Sequence, residues 1–161
     1  MKNKLLNRVL QGSIITLMFA CNTQQKENPA PVIDKEQIKK EIQAKEDEFA
    51  DTYNSGVMKS IGYYADDAVS FFQNRPPLVG KEAIVAFLVA DLNSNSNTIF
   101  FKTNEVFVSG DANQVVELGT FTLVDSTKTM VNTGNYMSLF EKRNGKYVCL
   151  RDMSASILPL E

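Results

Sequence analysis

The sequence predicts an α+β domain in which a curved antiparallel sheet carries its helices on one face. Three observations lead to this class. Apolar positions at helical spacing occur mainly in the first half of the chain, β-rich runs fill the second half, and short turn signals separate those runs. Neighbouring strands joined by tight loops pair antiparallel, because a parallel return needs a long crossover. Helices that precede a run of hairpins are expected to cover one side of the sheet.

The first predicted helix begins after Asp34 and ends near Gly56. The Asp34 side chain can accept a hydrogen bond from the first turn, and Gln37 three residues later completes a capping pattern. Glycine readily takes the left-handed conformation that ends many helices. The charge-rich residues 35–48 are interpreted as a solvated face. The apolar positions at helical spacing are Ile38, Ile42, Phe49 and Tyr53.

Two further helices and one strand are predicted to follow. A short helix over residues 57–64 leads to a strand over residues 68–73, which alternates weakly between apolar and polar positions. Asp66 and Asp67 lie between these elements and are interpreted as a helix stop and a turn. The next helix, over residues 81–92, has its apolar side chains on one face.

Four longer strands are predicted to complete the sheet. Turn residues separate each strand from the next, and Asn144-Gly145 is the strongest two-residue hairpin signal in the sequence. The last strand is apolar on both faces, which predicts that both of its faces are covered. The four strands span residues 98–108, 114–124, 129–142 and 146–156.

Composition excludes several classes of function. The chain has 161 residues and a net charge of −2, without a basic stripe, so no nucleic-acid partner is expected. It contains no histidine, which removes histidine-based triads and histidine metal sites. The two cysteines, Cys21 and Cys149, have no CxxC partner, so a disulfide or zinc framework is not expected. The prediction is a domain with no metal site and no cofactor. Cys149 is expected to be an inert, packed thiol.

The first 21 residues have the pattern of an export signal. Lys2, Lys4 and Arg8 form a positive start, and an apolar run ends in Ala20-Cys21, which resembles a bacterial lipobox. This pattern predicts lipidation of Cys21, a flexible tether over residues 22–33 and a folded domain over residues 34–161. The expected location is the bacterial cell envelope, periplasmic or associated with the outer membrane, with the lipid as the only membrane contact. The alternative is ordinary cleavage with a free cysteine nearby.

Four groups of residues, taken in order, resemble a known family: Phe49 and Tyr53 before Asn54-Ser55-Gly56, Tyr64-Ala65-Asp66-Asp67-Ala68-Val69, Val79-Gly80-Lys81-Glu82-Ala83-Ile84 with Phe87, and Asn144-Gly145-Lys146-Tyr147 before Arg151-Asp152-Met153. Together with the predicted order of elements, they resemble the nuclear transport factor 2-like, or SnoaL-like, superfamily of cone-shaped domains, which includes ketosteroid isomerase-like proteins. The resemblance covers about residues 34–156, and departs from the usual pattern at Val57, commonly acidic, and at Tyr147, commonly tryptophan. It implies a cone with a pocket, but its members include isomerases, dehydratases, hydrolases and pure binding domains.

Aromatic and charged side chains supply the candidates for a pocket in the cone. Tyrosine offers an apolar ring with a polar tip, although each tyrosine is also compatible with a plain core position, Tyr63 among them. Asp152 and Asp67 are the candidate catalytic carboxylates, and the rest of the chain has no recognisable catalytic set. The ligand-binding candidates are Phe49, Tyr53, Tyr64, Tyr136, Arg151 and Met153.

Arg151 and Asp152 interrupt an apolar strand, so one of them is expected to face the cone interior. Strict alternation places Arg151 on the same side as Tyr147, Cys149 and Met153, which favours Arg151 inside and an anionic or carbonyl-bearing ligand. If Asp152 faces inward instead, burial raises its pKa and proton transfer becomes credible. The alternative for Arg151 is an ion pair at the sheet edge with Glu117 or Asp152.

Three functions remain open at this stage. The leading hypothesis is a lipid-anchored domain that binds a small, partly apolar molecule without catalysis. The second is an enzyme of the ketosteroid isomerase or dehydratase type, with a pocket carboxylate as base and a tyrosine hydroxyl as oxyanion donor. The third is an accessory lipoprotein whose cone is filled by side chains. A homodimer through the outer face of the sheet is expected in each case, because an exposed apolar face of that size usually marks an interface.

Overall fold

The computed structural model describes residues 32–57 and 61–158. The predicted signal sequence, Cys21 and most of the tether lie outside these residues. The predicted α+β class is confirmed, and so is the curved sheet with helices on one face. The elements are α1 (Lys35–Asn54), β1 (Tyr64–Phe71), β2 (Leu78–Val79), α2 (Lys81–Ser94), β3 (Thr98–Val108), β4 (Gln114–Val124), β5 (Met130–Arg143) and β6 (Lys146–Ser156).

One six-stranded sheet has the strand order β2-β1-β6-β5-β4-β3. The run from β3 to β6 is antiparallel throughout, as the turn signals predict. β1 pairs with β6 in parallel, a pairing that local sequence signals did not indicate. Parallel neighbours need a long crossover, and here α2 and four strands separate the two partners in the chain. This pairing brings the first strand beside the last one.

Helix α1 begins and ends as predicted. Asp34 Oδ1 accepts a hydrogen bond from the Gln37 backbone N–H at 3.0 Å, and Gly56 follows the helix with φ of 75°. The buried face contains the four predicted apolar positions together with Glu46, which is 1% exposed. The interpretation of residues 35–48 as a solvated face is therefore wrong at Glu46.

The segment after α1 differs from its prediction. Residues 61–63 are not helical and β1 begins at Tyr64, so the predicted helix over residues 57–64 is wrong at its end, while residues 58–60 lie outside the described part. Asp66 and Asp67 lie inside β1 rather than in a turn. The aromatic side chains of Tyr63 and Tyr64 are buried in the core, and tertiary packing of this kind overrides a weak helical signal.

A β-bulge in β6 sets which side chains of that strand face the helices. Phe140 of β5 lies opposite Cys149, but the preceding Leu139 lies opposite Arg151, so Leu150 is an extra residue. Because side chains alternate along a strand, one extra residue reverses the face of every residue that follows. The bulge falls where β1 also loses its regular register with β6.

The core lies between the inner face of the sheet and α1 and α2. Phe140, Val115 and Cys149 of the sheet are fully buried, as are Ile42 and Ile84 of the helices. Burial raises the pKa of the Cys149 thiol well above its ordinary value, in keeping with the inert thiol expected from sequence. Among the described residues, neither helix has the length and apolarity needed to cross a membrane.

Candidate functional site

A cavity of about 310 Å³ lies between α1, α2 and the inner face of the sheet. This volume falls at the lower end of the range of about 300–1,000 Å³ typical of ligand pockets. Every described element except β2 contributes to the wall. The acidic and tyrosine side chains of the lining include Glu46, Tyr53, Tyr64, Asp91, Tyr136 and Asp152.

Aromatic rings form much of the cavity wall and pack against one another. The Phe49 ring centre lies 5.1 Å from that of Tyr63 and 5.4 Å from that of Phe101, both in edge-to-face geometry. The Phe101 ring meets Tyr136 in the same way at 5.4 Å. Gly119 faces Tyr136 across the β4–β5 pair, and a Cβ there would lie 2.2 Å from the Tyr136 ring. The glycine therefore leaves the space that the tyrosine occupies.

The cavity reaches the surface through a polar rim. The Ser156 Oγ donates to Asn132 Oδ1 at 2.8 Å, and the Ser156 backbone N–H donates to Gln73 Oε1 at 3.3 Å. All three residues line the cavity, and Gln73 is exposed. Two further polar lining residues, Glu46 and Ser138, are buried. A bound molecule would thus meet apolar walls with polar groups both at the exposed rim and in the buried part of the lining.

Four tyrosine hydroxyls in and around the cavity each donate to a carboxyl group. Tyr53 donates to Asp91, and Tyr63 donates to Glu46 Oε1 at 2.5 Å. The other two donors contact carboxyls of the sheet. They are Tyr64, which donates to Asp152 Oδ2 at 2.9 Å, and Tyr136, which donates to Glu117 Oε1 at 2.7 Å. Burial, followed by the neighbouring carboxyls, raises the pKa of all four phenols, so they keep their protons.

Glu46 and Glu117 form a buried carboxyl pair. Burial and the charge of Glu117 raise the pKa of Glu46 well above its ordinary value, and burial also raises the pKa of Glu117. Glu117 Oε1 accepts from Thr103 at 2.5 Å, but its Oε2 has no hydrogen-bond donor among the described residues unless Glu46 is protonated. The two carboxyls are close enough for such a bond. The raised pKa of Glu46 favours the form in which it carries a proton and can donate it towards Glu117.

Asp152 is the charged residue of β6 that faces the cavity. Burial raises its pKa, while the hydroxyls of Ser70 and Tyr64 act in the opposite direction. Its Oδ2 accepts from Tyr64, whereas its buried Oδ1 has no hydrogen bond from a described residue, because the nearby Ser70 hydroxyl is not in bonding geometry. The residue also borders a shallow groove on the outer face. A buried carboxyl oxygen without a partner is rare in a native fold and marks Asp152 as a candidate functional group.

A family model described as a SnoaL-like domain matches residues 47–150. The chain belongs to the SnoaL-like domain family. No functionally curated protein matches the sequence.

Solved structures share the fold of this SnoaL-like domain at low sequence identity. A domain of unknown function with a cystatin-like fold from Nostoc punctiforme has a TM-score of 0.66 at 15% identity, covering 78% of this chain and 79% of that one. A nuclear transport factor 2-like protein from Novosphingobium aromaticivorans has a TM-score of 0.65 at 14% identity, with coverages of 75% and 82%. A ketosteroid isomerase-like protein from Erwinia carotovora atroseptica has a TM-score of 0.60 at 19% identity, covering 74% of this chain and 96% of that one. At these identities the likeness shows the fold alone.

The expectation that Arg151 faces inward is wrong, because the bulge at Leu150 reverses the alternation. Arg151 lies on the groove of the outer face and is absent from the lining of the cavity. Its Nη1 donates to the backbone oxygens of Asp67 at 3.1 Å and Leu150 at 2.5 Å, so the guanidinium stabilises the irregular part of the β1–β6 pair. The suggested ion pair of Arg151 with Glu117 does not form, since Glu117 lies on the inner face.

Asp67, the second catalytic candidate, lies outside the cavity of the SnoaL-like domain. Its side chain is 61% exposed and forms an ion pair with Arg143 at 2.5 Å. The hydrogen bonds from Arg143 hold the pKa of Asp67 below its ordinary value. A carboxylate with a lowered pKa and a permanent cation beside it is a weak proton acceptor. Asp67 therefore has a structural setting rather than a catalytic one.

The other predicted ligand-binding residues line the cavity. Phe49, Tyr53, Tyr64 and Tyr136 form parts of its wall, and Met153 lies at its edge with 52% of its surface exposed. Their roles in binding stay predictions.

Three acidic residues of the site were missed in the sequence: Glu46, Asp91 and Glu117. Signals for them existed. Glu46 follows Ile42 by four residues on the buried face of α1, and Asp91 stands three residues after Leu88 on α2. Glu117 alternates with buried Val115 and Gly119 on β4. An acidic residue at a position that the helix or strand period assigns to the apolar face indicates a buried polar site. Its burial is costly unless hydrogen-bond partners surround it.

The chemistry available to this site is binding and proton exchange. The wall supplies carboxyl groups, phenols and serine hydroxyls, and in residues 32–57 and 61–158 no group of acidic or sulfur ligands is placed to hold a metal ion. The absence of a cofactor stays a prediction. Asp152 is the carboxyl with a free acceptor atom, and it is the residue on which a catalytic or binding role would depend.

Proposed function

We propose that this chain is a lipid-anchored domain of the bacterial cell envelope that binds a small, partly apolar molecule in the cavity of its cone. The observation that carries the proposal is the 310 Å³ cavity, in which aromatic walls surround a few polar groups. Pockets for small ligands commonly have this composition. A cone filled by its own side chains, the third hypothesis above, is less compatible with a cavity of this size.

The binding proposal predicts that Asp152, and not Arg151, influences ligand binding. In thermal-shift measurements with a panel of small acids, ketones, steroids and amines, Asp152→Asn is expected to change the shift that a bound molecule causes. Arg151→Met is expected to lower the basal stability and leave that shift intact, because Arg151 lies outside the cavity. Native mass spectrometry of protein from its own host supplies the direct test. If native mass spectrometry finds no bound molecule and no compound of the panel changes the melting temperature, the binding proposal is rejected.

A second candidate function is an enzyme of the ketosteroid isomerase or dehydratase type. The observation in its favour is the raised pKa of Asp152 beside an unpartnered carboxyl oxygen. In the isomerase case the carboxylate would remove a proton from a carbon next to a carbonyl and return it to another carbon, so no proton is gained or lost. The enolate oxygen would need a donor, yet the hydroxyl proton of Tyr64 is already given to Asp152. This shortage keeps binding as the leading proposal.

Hydrogen–deuterium exchange separates catalysis from binding. If the protein is such an enzyme, ketones with acidic α-hydrogens should exchange these for deuterium faster in its presence, as NMR would record. The acceleration should vanish in Asp152→Asn and persist in Asp66→Asn, a carboxylate on the exposed side of β1. A panel in which no ketone exchanges faster than in buffer would leave binding as the only candidate.

Lipid anchoring is proposed from the export signal and from Ala20 before Cys21. Stable attachment to a membrane requires more than one acyl chain. The full chain and Cys21→Ala should therefore differ in detergent partitioning and in mass when expressed in a Gram-negative host. A wild-type protein that stays aqueous, with no mass added at Cys21, would contradict the anchor.

We also propose a homodimer through the outer face of the sheet. Phe71, Met137 and Met153 expose 42%, 44% and 52% of their surfaces around the groove on this face. Apolar side chains in such a group are typical of an interface. Light scattering of the unlipidated protein should give the mass of a dimer, and Met137→Glu should give a monomer. A monomeric wild type at tens of micromolar would exclude it.

A further inference from the structure

We propose that the cavity takes an organic cation, a primary amine whose ammonium group contacts Asp152 Oδ1 and whose apolar body packs against the aromatic wall. This inference rests on the proposed function and specifies the chemical class of the ligand. It follows from three features of the cavity: the direction of its tyrosine hydrogen bonds, its charge, and its unpartnered oxygen.

The hydrogen bonds of the tyrosines make the cavity rich in acceptors. The hydroxyls of Tyr53 and Tyr64, like those of Tyr63 and Tyr136 at the inner end, already donate to carboxyl groups. A phenol whose proton is used presents only its lone pairs and its ring face to a ligand. The carboxyl oxygens that accept these bonds are acceptors as well. A ligand that supplies several N–H donors therefore complements the wall better than one that supplies acceptors.

The charge of the lining has one sign. Three acidic side chains line the cavity, Glu46, Asp91 and Asp152, and none of its lining residues is a lysine or an arginine. Arg75 packs on Phe87, with its guanidinium carbon 4.0 Å from the ring centre, but it is not part of the lining. An anionic ligand would meet acidic groups without a counter-ion, whereas a cation would neutralise one of them.

The aromatic rings suit an ammonium group. Nine of the 21 lining residues are phenylalanine or tyrosine, so aromatic rings form a large part of the wall that a cation would meet. The face of an aromatic ring attracts a cation, and more strongly when water is excluded. The buried Oδ1 of Asp152 has no donor among the described residues, and an ammonium N–H would supply it.

The protonation of Asp152 gives the inference a measurable signature. Burial keeps the carboxyl protonated to a higher pH than usual, and an ammonium beside it favours the charged form. Binding should release a proton, and affinity should rise with pH through the range in which free Asp152 ionises. The titratable groups that face Asp152 are Glu46 of α1, Tyr63, Tyr64 of β1 and Cys149 of β6, and Asp91 of α2 lines the same cavity.

Titration calorimetry with matched amines and alcohols tests the inference on the full-length protein. The probes are butylamine, cyclohexylamine and 2-phenylethylamine, each beside the alcohol of the same skeleton. These amines remain protonated in the range used, so a pH effect reports the protein. At least one amine is expected to bind about tenfold more tightly than its alcohol near pH 8, which corresponds to about 1.4 kcal/mol. The preference should shrink as the pH is lowered, and at the pH values where it shrinks, buffers of different ionisation enthalpy should register a proton released on binding.

Two variants assign the effect to the cavity. Asp152→Asn keeps the shape of the side chain and should abolish both the preference for amines and the proton release. Asp66→Asn makes the same chemical change on an exposed position of β1 and should leave both unchanged. Equal loss in the two variants would overturn the assignment to Asp152.

The outcomes separate this inference from the binding proposal. Alcohols that bind as tightly as their amines at every pH measured would overturn the inference of a cationic ligand and support a neutral ligand in the same cavity. Binding of a ketone or steroid from the thermal-shift panel, with no binding of any amine, would do the same. If no member of either panel binds, both the cation and the proposed binding function are wrong.

Discussion

Glu117→Ala is expected to destabilise the fold by about 3–5 kcal/mol, because it removes the acceptor of a buried network. Glu117 is fully buried, and its Oε1 accepts hydrogen bonds from Thr103 and Tyr136. With alanine there, both hydroxyls lose their partner inside the cone, and the proton of Glu46 loses the group to which it points. The missing side chain also leaves a cavity, which adds to the cost.

Glu117→Gln is the matched control for this prediction. Its side-chain oxygen can still accept from Thr103 and Tyr136, and the volume is kept, so a loss of about 1 kcal/mol is expected. Urea denaturation near pH 6 measures both variants through their midpoints. Equal midpoints for the alanine and glutamine variants would show that the hydrogen bonds to Glu117 contribute nothing to stability.

Glu46→Gln is expected to make the protein more stable than the wild type at about pH 8 and equally stable at about pH 4. Burial raises the pKa of Glu46 above its value of about 4.3 in an unfolded chain. A group of this kind contributes stability that is fully present below the unfolded pKa. That stability is lost as pH rises towards the folded pKa, since the unfolded chain then ionises and the folded one does not. Glutamine is neutral throughout and can still donate to Glu117.

The gain at about pH 8 is expected as a melting temperature above that of the wild type, because glutamine has no proton to lose when the chain unfolds. Thermal unfolding at the two pH values gives the measurement. Glu41→Gln, on the exposed side of the same helix, serves as control and should follow the wild type at both. The buried Glu117 and Asp152 keep part of the pH dependence in every variant. A Glu46→Gln protein that loses stability on going to about pH 8 as steeply as the wild type would contradict the protonated state of Glu46.

Local signals predicted the parts of this fold that depend on neighbouring residues. The cap at Asp34 forms as expected, and the β5–β6 hairpin turns at Asn144 and Gly145, which have φ of 52° and 78°. Both follow from backbone and side-chain chemistry within a few residues. The class and the antiparallel order follow from short connections, which leave the strands little choice of partner.

The parts that sequence did not predict depend on distant pairing. The parallel contact of β1 with β6 joins residues about 80 positions apart, and the bulge at Leu150 lies beside it. Strict alternation, which takes no account of a bulge, correctly places Tyr147 and Cys149 on one face but places Arg151 on the wrong one. For Glu46, the many charged residues around it favour a solvated face, although the side chain is buried. Its position on the apolar face, four residues after Ile42, was the better guide.

The bulge at Leu150 also bears on how a protein of this kind could change its ligand during evolution. Most routes to a new binding preference replace several side chains, each with its own cost to stability. Here two adjacent residues of opposite charge directly follow the extra residue, so moving the bulge beyond them along β6 would exchange their faces. Arg151 would then enter the cavity and Asp152 would leave it. The sign of the charge presented to a ligand is thus set by the position of the bulge as much as by residue identity, and relatives could differ in it while keeping the same amino acids.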